Sequence, residues 1–158
     1  MAKETKTNAM RILERLKIPY EVNLYTCEEF VDGVTIADML GQPYASSFKT
    51  LVAKGKSGGY YVFVLPIAEE VDLKAAAAAV GEKSVALIPV KEINALTGYV
   101  RGGVSPLGMK KAFPTVIDAS AEQFSTIIIS GGRLGAQIFL SPQDLAKAVG
   151  ATFAAICA

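Results

Sequence analysis

A chain of 158 residues, 51% of them hydrophobic, can bury one core, and no apolar run reaches the ~18 residues of a membrane span; one domain spanning residues 1–158, soluble and cytoplasmic, is expected. Lys and Arg number 16 against 15 acidic residues, so the whole-molecule field cannot gather nucleic acid and any RNA contact must be local. Histidine is absent, which removes the commonest general base, the commonest zinc ligand and every Ser-His or Cys-His triad.

Met1 to Lys6 lead into an amphipathic segment rather than a signal-peptide core. Thr7 or Asn8 can cap a helix whose Ala9, Ile12, Leu13 and Leu16 share one face, and Pro19 stops it. Tyr20, Val22 and Leu24 then alternate with Glu21, Asn23 and Tyr25, which predicts a strand with the first set buried and Tyr25 opposite the core. Cys27 to Gly33 reads as a loop, and its Phe30 is either a core anchor or the aromatic wall of a pocket. A short helix over Thr35 to Leu40 ends at Gly41. Phe48 to Ala53 and Tyr60 to Pro66 are strands joined by the hairpin Gly55 to Gly59. Lys49 heads the first of these strands. Its stem can cover apolar surface with its ammonium in water, or the ammonium can point into a pocket and meet a carbonyl, hydroxyl or phosphate.

Asp72 caps an alanine-rich helix over Leu73 to Val80 that stops at Gly81. Ser84 to Ile88 reads as a short buried strand and Lys91 to Leu96 as a short helix. Pro114 to Asp118 is another strand, and the β-branched run Thr126 to Ser130 is a strand covered on both faces. Gln137 to Leu140 follows as a strand. Ser141 with Pro142 opens the last helix, and Ala151 to Ala158 packs as a strand or extended segment. The alternation of strands and short helices, with a hairpin among them, implies an α/β domain whose mixed, curved, partly barrel-like sheet is surrounded by helices.

Two glycine-rich stretches stand out. Thr97 to Lys111 is too broken by Gly and Pro for one regular element and reads as an ordered loop; backbone N–H groups at Gly102 and Gly103 can approach a phosphate, ribose or carbonyl, with Arg101, Lys110 and Lys111 supplying charge. A tight turn with solvated basic residues is the plain alternative. Gly131 to Gly135 lacks the G-x-G-x-x-G spacing and the following helix of a dinucleotide site. Cys27 and Cys157 have neither metal-site nor disulfide-framework spacing and are expected as reduced thiols, neither a strong nucleophile candidate. No metal or cofactor is expected.

Lys6-Thr7-Asn8-Ala9, Phe48-Lys49-Thr50-Leu51, Val71-Asp72-Leu73-Lys74, Thr97-Gly98-Tyr99, Gly102 to Gly108, Lys110-Lys111, Ile129-Ser130-Gly131-Gly132 and Asp144-Leu145-Ala146 together resemble the YbaK/EbsC-type aminoacyl-tRNA deacylases, relatives of the editing domain of bacterial prolyl-tRNA synthetases. The resemblance implies that family's fold and a hydrolase freeing cysteine from cysteinyl-tRNA(Pro). It implies Lys49 as the essential residue holding the aminoacyl ester and terminal adenosine, Thr50, Tyr25 and Phe30 as shapers of the pocket, Gly102 as backbone access and Ser130 as a polar wall. Where the cysteine-specific branch has an aspartate, this chain has Gln137, which removes a charge from the pocket. The resemblance also implies a mechanism in which the substrate's own thiol attacks its ester and releases a cyclic thiolactone; the absence of imidazole makes it attractive, since tethered groups reach effective molarities on the order of 10⁵ M or more. An alanyl-tRNA(Pro) deacylase using a bound water, and a non-catalytic binder of tRNA ends or nucleotides, are the alternatives. The expected partner is the 3′ end of an aminoacyl-tRNA, with prolyl-tRNA synthetase as a candidate presenter.

Overall fold

The computed structural model describes residues 6–158, so the reading of the first five residues lies outside the described part. Among the described residues five α-helices, α1 (Asn8–Arg15), α2 (Gly33–Leu40), α3 (Leu73–Val80), α4 (Ile93–Thr97) and α5 (Pro142–Val149), are interleaved with eight strands. The strands are β1 (Glu21–Leu24), β2 (Phe48–Gly55), β3 (Tyr60–Pro66), β4 (Val85–Leu87), β5 (Thr115–Asp118), β6 (Ile127–Ser130), β7 (Ala136–Leu140) and β8 (Thr152–Ala154). They form a five-stranded sheet of order β4-β2-β3-β5-β8 and a three-stranded sheet of order β1-β7-β6. The larger sheet is mixed: β2 runs antiparallel to β3 and β4, while β3, β5 and β8 run parallel.

The apolar run of β3 is long because both of its faces are covered. Val62 and Val64 enter a core shared with the small sheet, α1 and α5, whereas Phe63 and Leu65 enter a second core against α3. Ala76 and Ala77 are buried in that second core, so the small side chains let α3 lie close to the sheet. β6 is likewise buried along Ile127, Ile128 and Ile129, as its β-branched run predicts. The sheets are joined at one point, where the Ile128 amide donates to Ser46 O at 2.9 Å beside a parallel bridge from Ser47 to Ile128. The strands therefore curve from one sheet into the other.

Helix ends follow local chemistry. Asp72 accepts from the amides of Lys74 and Ala75 and Gly81 ends α3 at φ 74°, while Ser141 accepts from Asp144 N and Pro142 occupies the first turn of α5. Three expectations need correction. α2 starts two residues before Thr35 because Asp32 accepts from Thr35 N and caps it. In β1 the expected facing holds but the burial does not: Val22 and Leu24 stand opposite the core residues Ile138 and Ala136 yet are 40% and 41% exposed, whereas Asn23 bonds Gln137 on the other face and Tyr25 is half-buried. β1 is the edge strand of the small sheet, which leaves its apolar face partly open to water. β4 is also an edge strand rather than a buried one, with Leu87 46% exposed.

Candidate active site

β4 pairs only with the last three residues of β2, Ala53 to Gly55, and β6 meets the chain just before β2 at Ser47. Between them Val52 O accepts from Ile88 N at 3.0 Å. Backbone groups of alternate residues point the same way, so Thr50 presents its N–H and C=O on that same side, at the stretch of edge that β4 and β6 leave open. A cavity of about 500 Å³ lies along this edge. It is lined by Tyr25, Phe30, Lys49, Thr50, Gly102, Ser130 and Gln137, together with apolar walls from α2, Ile67, Leu87 and Ile88. Seven of the eight residues singled out from the sequence thus meet at one place.

Gly103 does not. It is buried outside the cavity lining, and a Cβ there would stand 2.8 Å from Arg133 Cα. Its lack of a side chain lets the first glycine loop pack on the second. Gly102 is the different case: its φ is +87°, and a Cβ would meet Leu134 Cδ2 at 2.8 Å and Phe30 Cδ1 at 3.0 Å. Phe30 therefore lies on the bare face of Gly102, and the Arg101 guanidinium lies 3.9 Å from the centre of its ring. Phe30 is a pocket wall, 42% exposed.

The glycine loop is ordered from within. Thr97 Oγ1 donates to Ile93 O at 2.8 Å and accepts from Tyr99 N at 3.0 Å, and the buried Tyr99 hydroxyl donates to Leu107 O at 2.5 Å. Burial pushes the Tyr99 phenol up to about 12, so it stays a hydrogen-bond donor. Gly103 N closes a turn on Val100 O at 2.8 Å, and Lys110 N returns to Thr97 O at 3.1 Å. Across the gap Thr7 Oγ1, besides capping α1, donates to Gly131 O at 2.6 Å. Much of the resemblance motif is thus scaffolding that holds two loops together.

Alternation along β2 sends Lys49 and Thr50 to opposite faces, with Leu51 on the Lys49 side and Val52 on the Thr50 side. Both reach the cavity because the edge is open. Lys49 is half-buried, and its ammonium donates to Ile67 O at 3.4 Å. That bond is long, so a better acceptor can take the ammonium at little cost. Burial lowers the Lys49 pKa below the ordinary lysine value, opposed chiefly by Glu70. Cys157 lies near this group, but burial and Asp118 push its thiol up to about 12, so it is a poor nucleophile. Cys27 Sγ donates to Glu29 O at 3.1 Å. Among the described residues no cluster of His, Cys, Asp or Glu could hold a metal ion.

Ser130, Gln137 and Asn23 are direct cross-strand neighbours on β6, β7 and β1. Gln137 is 8% exposed and pairs with Gln42, which follows α2, through bonds of 2.8 and 2.9 Å, and with Asn23 through one of 3.1 Å. Gln42 and Asn23 escaped the sequence reading: one follows a helix cap and the other occupies a position whose phase pointed outward.

The family model described as aminoacyl-tRNA editing domain matches residues 27–148. A relative from Enterococcus faecalis (strain ATCC 700802 / V583), named as a candidate Cys-tRNA(Pro)/Cys-tRNA(Cys) deacylase, EbsC, is 43% identical over 97% of this chain and 94% of its own length. Among solved structures, a hypothetical protein designated APE2540 superposes with a TM-score of 0.85 at 24% identity, over 94% of this chain and 97% of its own. A candidate trans-editing enzyme for prolyl tRNA synthetase does so with a TM-score of 0.80 at 23% identity, over 98% and 99%. These last two establish likeness of fold. With a domain model covering most of its length and a near full-length relative of this identity, the chain belongs to the aminoacyl-tRNA editing domain family.

Proposed function

We propose that this protein is a cytoplasmic trans-editing deacylase that removes cysteine from mischarged Cys-tRNA(Pro). The observation that carries the reading is a half-buried lysine and a bare glycine backbone on the walls of one cavity, in a chain without histidine. Lys49 turns from Ile67 O to the ester carbonyl and stabilises the negative charge that develops there. The cysteinyl thiol attacks the carbonyl carbon; a C–S bond forms, the C–O bond to the ribose breaks, and the thiol proton ends on the ribose hydroxyl. The cyclic thiolactone then hydrolyses to cysteine. The protein contributes orientation: Tyr25, Phe30 and Thr50 shape the chamber, Gly102 lets the terminal nucleoside approach the backbone, and Ser130 supplies a polar wall. Prolyl-tRNA synthetase is the source of the mischarged tRNA.

One observation favours a second reading, deacylation of alanyl-tRNA(Pro): the cavity floor at Gln137 is neutral, its partners being the amides of Gln42 and Asn23. Hydrolysis rates on cysteinyl-, seryl- and alanyl-tRNA(Pro) separate the two. Cysteinyl-tRNA far ahead of the others supports thiol attack, and seryl-tRNA cleaved as fast as cysteinyl-tRNA contradicts it, because a serine hydroxyl is a far poorer unassisted nucleophile.

A further inference from the structure

Main-chain groups along β2 alternate between two edges. Ile67 N donates to Ser47 O at 2.9 Å and Gly55 N to Gly59 O at 2.7 Å, at the two ends of one continuous antiparallel register, so Lys49, Leu51 and Ala53 are the residues between them that bond β3. Phe48, Thr50 and Val52 therefore turn their N–H and C=O to the other edge. There Val52 O is taken by Ile88 N at 3.0 Å, the β4 ladder begins at Ala53, and contact with β6 is a single bridge at Ser47. Thr50 lies between these contacts, half-buried on the cavity wall, and among the described residues no protein group bonds its N–H or its C=O. Main-chain groups in such a place ordinarily have partners. Residues directly opposed in a bonded antiparallel pair exchange two hydrogen bonds, and an aminoacyl group carries the matching amine and carbonyl on either side of one Cα.

We infer that Thr50 holds the aminoacyl group by its main chain, as one residue added to the open edge of β2: its C=O accepts from the substrate's α-ammonium and its N–H donates to the ester carbonyl. This rests on the deacylase reading of the cavity. The ester oxygen then has two donors, the Thr50 N–H and the ammonium of the adjoining Lys49, and both stay with it as negative charge develops. Among the described residues lining the cavity the only acid is Asp32, whose two oxygens accept from Thr35 N and Thr35 Oγ1 at 2.9 Å each, so a main-chain carbonyl is the acceptor left for the ammonium. Ser130 also turns its N–H and C=O away from β7, because Gly131 N bonds Ala136 O at 2.8 Å and bonded positions alternate, and it lines the far side of the same gap. Lys49 adjoins Thr50, which places the ester carbonyl on the β2 side. Such a site takes aminoacyl esters with a free α-amine and excludes N-acylated ones.

The test joins residue-resolved amide hydrogen exchange with calorimetry on the whole chain, using the uncleavable 3′-cysteinylamino-3′-deoxyadenosine. In the free protein the Leu51 amide, which turns to β3, should be protected and the Thr50 amide should exchange freely; the analogue should slow Thr50 by at least about tenfold, and by more than Ser130 or Val52. The counterpart lacking the α-amine, 3′-(3-mercaptopropionyl)amino-3′-deoxyadenosine, should bind at least about tenfold more weakly, the scale of a charge-assisted hydrogen bond, and Asp32→Asn should leave that ratio unchanged. A Thr50 amide already protected in the free protein or no slower with the analogue, slowing equal to or below that at Ser130 or Val52, equal affinity for the two compounds, or a ratio that collapses in Asp32→Asn would overturn the inference and leave the deacylase reading intact. Failure of the wild type to bind the cysteinyl analogue would overturn that reading and this inference with it.

Discussion

Replacing Gly102 and Gly103 by alanine, one at a time, should separate catalysis from folding at adjacent positions. At Gly102 the methyl meets only the ends of two side chains, Leu134 Cδ2 at 2.8 Å and Phe30 Cδ1 at 3.0 Å, which can shift. The remaining cost is the left-handed backbone at φ +87°, about 1–2 kcal/mol for an L-residue. At Gly103 the neighbours are the backbone atoms of Arg133, at 2.8, 3.0 and 3.2 Å, which cannot move without separating the two glycine loops. Overpacking of that kind costs about 1–3 kcal/mol and can cost more. For a chain of this size each kcal/mol lowers the melting temperature by about 2–4 °C, so Gly103→Ala should melt at least as far below the wild type as Gly102→Ala. Activity should rank the other way. Gly102→Ala displaces Phe30 from the cavity mouth and should lower kcat/KM on aminoacyl-tRNA by about tenfold or more, whereas folded Gly103→Ala should keep most of it. Differential scanning fluorimetry and a deacylation time course at a temperature where both variants are folded measure the two quantities. Near wild-type kcat/KM in Gly102→Ala, or a larger catalytic loss in Gly103→Ala, would refute the division of labour.

The partly buried Lys49 predicts a trade between function and stability. Its folded pKa lies below its unfolded one, so between the two the unfolded chain binds more protons and stability rises with pH through that window. Lys49→Met should therefore melt above the wild type at neutral pH while losing activity, and a lower melting temperature would contradict the burial cost. If the ammonium carries the chemistry, kcat should be flat below the folded pKa and fall as pH rises through it, starting at a lower pH than free lysine titrates; a pH–rate profile checks this. Arg101→Ala, which removes the cation over Phe30, should raise KM for aminoacyl-tRNA and leave aminoacyl-adenosine unaffected, since only the former brings the phosphodiesters of the acceptor end. Equal effects on both substrates would assign Arg101 to packing. Asp72→Ala should cost about 1 kcal/mol by removing the cap from α3, read from urea unfolding.

What the sequence makes legible is what neighbours along the chain decide. Asp72 and Gly81, Ser141 and Pro142, and the glycines between β2 and β3 act within a few residues, so those helix ends and that hairpin fall where local chemistry puts them. The cavity residues were accessible through the resemblance, whose motifs bring Lys49, Thr50, Gly102 and Ser130 into one set. The exposure of Val22 and Leu24 was not, because β1 is an edge strand by its pairing with β7, where Asn23 meets Gln137 across 114 positions, and no local pattern carries that. Gln42 was hidden for the same reason, at a separation of 95. Gly103 shows a different limit. Two adjacent glycines look alike in a sequence, yet one faces a cavity and the other another loop's backbone.

Release of cysteine from Cys-tRNA(Pro) by the wild-type protein and by Lys49→Ala, followed in parallel with thermal unfolding of both, tests the central claim most directly. The account predicts rapid deacylation by the wild type and a loss of at least about a hundredfold in a Lys49→Ala variant that still folds, as for removal of a group that stabilises a developing oxyanion. A folded Lys49→Ala variant with wild-type rates, or a wild type that leaves the ester intact, would contradict it.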